Sequence, residues 1–252
     1  MKLKCDDKEE RKEIKAEFSY VMGPFHRDEI TGLDVCIRKE LIATCSKDKY
    51  ISIWNYATRT HELSHTQQEE CLAVAFHPSG LHLIVAFGDK ISVCNILSNK
   101  ISFAKTIPIK LCNDIKFSNG GHLFACTAKD VIMVFNFYTW DSPPYQTLTG
   151  HLNRVSSLDW FENDLGLTSC GLDGSIYFYD NLYQIGEKVG SRNTNKDQNR
   201  REVKFSCVTN LPGKPYQFIA VGNERSIYTE NEAIKIPPRP TLDGTQKAPE
   251  LP

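Results

Sequence analysis

Two segments of this chain superimpose without a gap at an offset of about 125 residues, roughly three times the 40–45 residues of a four-strand repeat. The first carries His26, Leu33, Asp34, Thr44, Cys45, Asp48, Ile51 and Trp54. The second carries His151, Leu158, Asp159, Ser169, Cys170, Asp173, Ile176 and Tyr179. Two degraded copies between them match each other in register: Phe76, Gly80, Ile91, Val93 and Asn95 against Phe117, Gly121, Ile132, Val134 and Asn136. Each copy is one unit that buries its faces only by stacking on its neighbours. Such a repeat sets the architecture before any single residue is interpreted, and it argues against an enzyme.

Turn residues divide the first copy into strands over 31–37, 41–45, 50–55 and 60–64, with Lys47-Asp48-Lys49 turning the chain between the second and third. The pattern predicts an all-β propeller with four to five visible blades of four antiparallel strands, as a partial or open ring. The copies span about 26–65, 66–106, 107–147, 148–184 and 205–232, inside a repeat region of 26–235. Residues 1–25 read as a charged arm with a leading strand near 18–22. The stretch 186–204 is rich in Asn, Arg and Lys and reads as an exposed polar loop. Residues 236–252 read as an extended Pro-rich tail. An incomplete ring leaves two blade faces open, which calls for further blades from the same or a partner chain.

Composition narrows the function classes. The net charge of −1 over 252 residues sets up no strong field toward nucleic acid or an anionic membrane. No apolar run reaches the length of a membrane span. The nine cysteines are scattered singly, without a Cys-x-x-Cys pair, and several fall in apolar strand-like runs. An odd number of buried thiols fits a reducing compartment better than a disulfide framework. The cytoplasm is the expected location.

The polar set of the two best copies has one geometry. His26, Thr44, Asp48 and Trp54 parallel His151, Ser169, Asp173 and Tyr179. The Asp accepts from the imidazole, and the hydroxyl bridges the ring to the aromatic, whose indole N–H donates when it is Trp. Each such bond is worth about 1 kcal/mol net, while an orphaned buried partner costs about 1–3 kcal/mol. A His, a Ser and an Asp together also suggest a hydrolase. A catalytic triad has no reason to occur twice at one spacing, and the hydroxyl sits within a strand rather than on a strained nucleophile turn.

These residues resemble the WD40 repeat family: Gly150-His151 opens a repeat, and Ser46-Lys47-Asp48 leads to Ile53-Trp54-Asn55, which closes one. Leu172 to Asp180 carries the same closing signature with Tyr179 in place of Trp, while Cys94 and Phe135 replace Trp in the middle copies. The runs Ile30 to Lys39, Leu41 to Ser46 and Phe117 to Ala125 are similar to a family of cilia- and flagella-associated WD-repeat proteins. That resemblance implies a scaffold in the ciliary or flagellar axoneme, part of the cytoskeleton, helping to place inner-arm dyneins or the nexin–dynein regulatory complex. It implies protein partners, no cofactor, no nucleic acid and no membrane. Members are usually longer, with more repeats before this segment and coiled coil after it. The loop residues expected at the partner face are Arg27, Asp28, Lys47, Lys49, Asn153 and Arg154. A WD40 adaptor in another cytosolic complex, such as a ubiquitin ligase or a trafficking coat, is the alternative.

One motif points elsewhere. His61-Glu62-Leu63-Ser64-His65 matches the zinc-protease pattern, which would make the chain a zinc hydrolase. That chemistry needs a helix to bring both imidazoles onto one face. Here the segment follows Trp54-Asn55 and a turn at Ala57-Thr58-Arg59, so an outer strand is expected and no metal site. The segment Ser118 to His122 lacks the Lys and the helix of a phosphate loop. Arg192 to Arg201 is basic without interleaved aromatics, and reads as a solvated loop rather than a nucleic-acid contact.

Overall fold

A computed structural model describes residues 25–139, 143–180, 190–193, 204–213, 217–223, 226–229 and 233–235. The leading strand expected near 18–22, most of the charged arm and the Pro-rich tail lie outside the described residues.

Among the described residues, five four-stranded antiparallel sheets follow one another. Blade 1 holds β1 (Ile30–Cys36), β2 (Leu41–Ser46), β3 (Tyr50–Asn55) and β4 (Thr60–Thr66). Blade 2 holds β5 (Ala73–Phe76), β6 (His82–Ala86), β7 (Ile91–Ile96) and β8 (Ile101–Ile107). Blade 3 holds β9 (Ile115–Phe117), β10 (Leu123–Ala128), β11 (Val131–Asn136) and β12 (Gln146–Leu148). Blade 4 holds β13 (Val155–Trp160), β14 (Leu167–Gly171), β15 (Ile176–Asp180) and β16 (Gly190–Asn193). Blade 5 holds β17 (Phe205–Asn210), β18 (Phe218–Gly222), β19 (Ser226–Tyr228) and β20 (Ala233–Lys235). The helical turn among the described residues is a short 3-10 segment, Ile37–Lys39.

The second strands of blades 1 to 4 are buried on both faces, and their sequences read accordingly: Leu-Ile-Ala-Thr-Cys-Ser in β2, Leu-Phe-Ala-Cys-Thr-Ala in β10. The first strands, β1, β5, β9, β13 and β17, stand side by side and line the inner wall. Tight turns reverse the chain between the first two strands of blades 2 and 3. There Gly80 and Gly121 adopt φ of 68° and 77°, which glycine takes without steric cost.

Four apolar clusters hold the five blades, one between each neighbouring pair. Cys45, Ile53, Phe76 and Val85 join blades 1 and 2. Ile84, Ile91, Phe124 and Phe135 join blades 2 and 3. Leu123, Val134, Leu158 and Tyr179 join blades 3 and 4. Phe178, Phe205, Val208 and Phe218 join blades 4 and 5. Backbone stitches reinforce the packing. Asp34 accepts from the Phe76 amide at 2.7 Å, Asp114 from Leu158 at 2.8 Å and Asp159 from Asn210 at 2.6 Å.

One expectation needs correction. Gly190–Asn193 lies within the stretch read as a polar loop, yet it forms β16 and pairs with Tyr177–Asp180. An outermost strand is held by ladder bonds and needs no apolar pattern. Residues 186–189 and 194–203 of that stretch are outside the described residues.

Candidate functional site

The site begins with two rigid corners. In blade 1 His26 precedes β1, Thr44 lies in β2, Asp48 sits in the β2–β3 turn and Trp54 lies in β3. His26 Nδ1 is 3.0 Å from Asp48 Oδ2, and its Nε2 is 2.8 Å from Thr44 Oγ1. The Trp54 indole donates to the same Thr44 oxygen at 2.9 Å. A carboxylate only accepts, so the ring proton sits on Nδ1. In the neutral ring Nε2 then accepts from the threonine hydroxyl, which accepts in turn from the indole.

Blade 4 repeats the geometry. His151 Nδ1 is 3.0 Å from Asp173 Oδ2, and Nε2 is 2.7 Å from Ser169 Oγ. The chain of bonds stops there. Tyr179 lies beside Ser169, but its buried hydroxyl makes no hydrogen bond of sound geometry. The Tyr179 hydroxyl lies close to Gly150. Burial raises the Tyr179 pKa, with Ser169 acting in the opposite direction.

Both carboxylates also cap their turns. Asp48 accepts from the Arg27 and Tyr50 amides, each at 2.9 Å. Asp173 accepts from the amides of Leu152 at 2.9 Å and Ser175 at 3.0 Å. Burial pushes both carboxyls up. For Asp48 the Arg27 and Tyr50 amides, with His26, outweigh it; for Asp173 the His151 ring leads and the Leu152 amide follows. Both therefore sit below the usual carboxylate range. Ser169 is fully enclosed and His151 nearly so.

Each corner presents a loop. Arg27, Asp28, Lys47 and Lys49 cluster exposed around Asp48. Lys47 pairs with Glu29, and Lys49 holds a left-handed φ of 69°. Asn153 is exposed and Arg154 half-buried around Asp173, and the Arg154 carbonyl accepts from the Leu172 amide. The six residues form two patches at the ends where β1 and β13 begin, separated by blades 2 and 3.

The zinc-protease motif comes apart. His61 and His65 lie in β4, where a bulge opposite Ile53 and Trp54 shifts the register. His61 stacks on Phe25 and edges against Trp54, while His65 packs against Phe103 of β8. The two rings thus face opposite sides of the blade. Among the described residues no group of three His, Cys, Asp or Glu side chains is placed to hold a metal.

Sequence reasoning missed a charged cluster on the inner wall. Asp34, Lys116 and Asp159 share one register position in β1, β9 and β13, and they border a cavity of about 340 Å³. Asp34 and Asp159 recur in the superimposed segments, a signal that was present without a role attached. Lys116 breaks the repeat and gave no signal.

The family model for the WD domain, G-beta repeat, matches residues 20–55 and 142–180, the segments that hold the two His–Asp corners. Cilia- and flagella-associated protein 57 A of Tetrahymena thermophila is 47% identical over 156 residues, 62% of this chain and 12% of that protein. Cilia- and flagella-associated protein 57 of Mus musculus is 37% identical over 228 residues, 90% of this chain and 17% of that protein. The chain therefore spans less than a fifth of the length of these relatives. The 77 kDa echinoderm microtubule-associated protein of Lytechinus variegatus is 23% identical over 75% of this chain and 28% of its own length. Among solved structures, the β-propeller domain of Myceliophteria thermophila Cps50 (Swd1) superimposes with a TM-score of 0.70 at 12% identity, covering 84% of this chain and 75% of that one. The repeat, the doubled network and the propeller likeness converge: the chain belongs to the WD40 repeat family, and over most of its length it is similar to cilia- and flagella-associated protein 57.

Proposed function

We propose that this chain is a non-catalytic protein-interaction scaffold of the ciliary or flagellar axoneme, one that helps to place inner-arm dyneins or the nexin–dynein regulatory complex. The observation that carries the reading is the similarity to two relatives named for cilia and flagella, at 47% and 37% identity. A more distant relative named for microtubules fits the same setting. The geometry supports a scaffold because polar loops stand on corners whose His, Asp and Thr or Ser side chains are already bonded to one another. The proposed partner face is Arg27, Asp28, Lys47, Lys49, Asn153 and Arg154. The eight residues of the two networks are assigned a supporting role. Further WD blades complete the ring.

The test is a pull-down from ciliary extract with the wild-type chain and with a Lys47→Glu, Arg154→Glu double variant. Wild type is expected to recover dynein or regulatory-complex subunits, and the variant to lose them. Recovery of neither by wild type counts against the reading.

A further inference from the structure

At the end of the blades opposite the His26 corner, neighbouring blades meet in two unlike ways. β1 ends at Cys36, which pairs with Leu41, while past β5 the His77 amide bonds to the His82 carbonyl. Cys36 therefore stands where His77 stands, and Leu41 where His82 stands. On the following blade the Ile96 amide bonds to the Leu81 carbonyl as the Phe137 amide bonds to the His122 carbonyl, so Ile96 matches Phe137. Between blades 2 and 3 three rings close the space: the His77 and Phe137 centroids are 4.7 Å apart, and those of His82 and Phe137 5.3 Å. Between blades 1 and 2 a thiol and two aliphatic side chains take their places, and a groove of about 700 Å³ is left.

That groove is apolar inside. Leu41 is buried in its lining, and Leu63 and Ile96 are half-buried. Leu81 and Leu97 line it from blade 2 at 47% and 44% exposure. Two exposed leucines on one hollow make a patch, whereas leucines scattered singly need no explanation. Its rim is basic. The Lys39 stem lies against Gly80, where an added Cβ would be 2.8 Å from Lys39 Cδ, so the long side chain is held along the edge of the groove. Lys100 closes the turn that carries Leu97. Among the described residues no carboxylate pairs with either ammonium. The acid in the lining, Glu62, already accepts from the Asn55 side-chain amide at 3.0 Å.

We propose that the groove between blades 1 and 2 is a docking site for a peptide segment of a partner protein, one that carries an aromatic anchor flanked by acidic residues. The internal copy sets the anchor. Rings of this chain fill the matching space between blades 2 and 3, and a ring supplied from outside fills it between blades 1 and 2. Lys39 and Lys100 set the acidic flanks by charge complementarity. The groove lies at the opposite end of the blades from Arg27, Lys47 and Lys49, so it is separate from the partner face named above. It does not depend on the axonemal reading.

The test pans a phage-displayed library of random dodecapeptides on the full chain. Binders to other surfaces are removed by depletion on Ile96→Phe, which puts the internal copy's ring into the groove. The Tm of that variant should stay within about 2 °C of wild type or rise. If it does not fold, Leu81→Asp at an exposed position serves in its place. The surviving sequences are expected to share a Phe, Tyr or Trp with Asp or Glu on either side. A fluorescein-labelled survivor is then titrated by anisotropy. Leu97→Asp should weaken its binding about tenfold or more, as loss of a buried leucine contact does. Lys39→Glu should weaken it about three- to tenfold, an effect that shrinks in about 0.5 M salt. Lys47→Glu, at the opposite end, should leave the affinity unchanged. No surviving sequence, survivors without an aromatic residue or with basic flanks, or a survivor indifferent to Leu97→Asp and Lys39→Glu overturns the docking site. So does a dimer in sedimentation equilibrium that Leu97→Asp dissolves, because a second copy then fills the groove. If the peptides bind as expected and the ciliary pull-down recovers nothing, the groove stands and the axonemal reading falls.

Discussion

Lys116 places its ammonium 3.7 Å from Asp34, although the two residues belong to the third and first blades. Burial works against the charge on Lys116, but Asp34, Asp114 and Asp159 together outweigh it and raise its pKa. The cation ties three blades across the inner wall. Lys116→Met is expected to destabilise the fold by about 1 kcal/mol in urea melts, because the Lys116 side chain is 36% exposed and solvent screens its ion pair.

Asp114 supplies a pH signature. Protein surrounds it, though water still reaches part of it, and burial pushes its carboxyl up to about 6 against the pull of Lys116. Its folded pKa is above its unfolded one. The stability it contributes is therefore fully present below the unfolded value near 3.8 and is lost as pH rises through about 6. Chemical melts are expected to show stability rising by on the order of 1–2 kcal/mol between pH 7 and pH 5. Asp114→Asn should remove that rise. Asp48 and Asp173 have the opposite sign. Their lowered pKa values stabilise the fold above the unfolded value of 3.8 and stop doing so as pH falls through the folded ones. An unchanged pH slope in the Asn variant would refute the assignment to Asp114.

The two polar corners should respond unequally to loss of one hydroxyl. Thr44→Val strands both the His26 ring and the Trp54 indole, and is expected to cost about 2–4 kcal/mol. Tyr179→Phe removes a hydroxyl that has no sound partner, so stability should hold or rise by up to about 1 kcal/mol. Thermal melts of the two variants decide the matter. A Tyr179→Phe loss as large as that of Thr44→Val would show that the phenol is bonded after all.

Gly166 is a packing requirement rather than a hinge. A Cβ there would run into the Tyr179 carbonyl and the Phe161 ring. Gly166→Ala is expected to cost more than about 3 kcal/mol, because backbone cannot yield as a side chain can. Gly213, at φ 71° with open space around its Cα, should lose only about 1 kcal/mol on the same change. Equal losses at both positions would contradict this account.

What could be read from the chain follows from what repeats. The His26 and His151 corners were visible because the same residue types recur at one spacing, and the hydrogen bonds needed only that geometry. β16 was hidden because Gly190–Asn193 is a polar outer strand held by its backbone. The divergence of His61 and His65 was half visible. A strand already separates them, but the bulge that turns them to opposite faces has no signature in Trp-Asn or His-Glu. Lys116 was invisible for the opposite reason: it is the one position of its set that departs from acid, alanine or threonine.

The carboxylate-to-amide stitches couple blade 1 to blade 2, blade 3 to blade 4 and blade 4 to blade 5, while Lys116 reaches from blade 3 to Asp34 of blade 1. Blade 3 has a neighbour on both sides and carries the cation, while blade 1 is gripped from a single side among the described residues. Opening should therefore spread inward like a fan unfolding from its ribs. Deuterium uptake should be slowest at the amides of β10 and progressively faster toward the flanks.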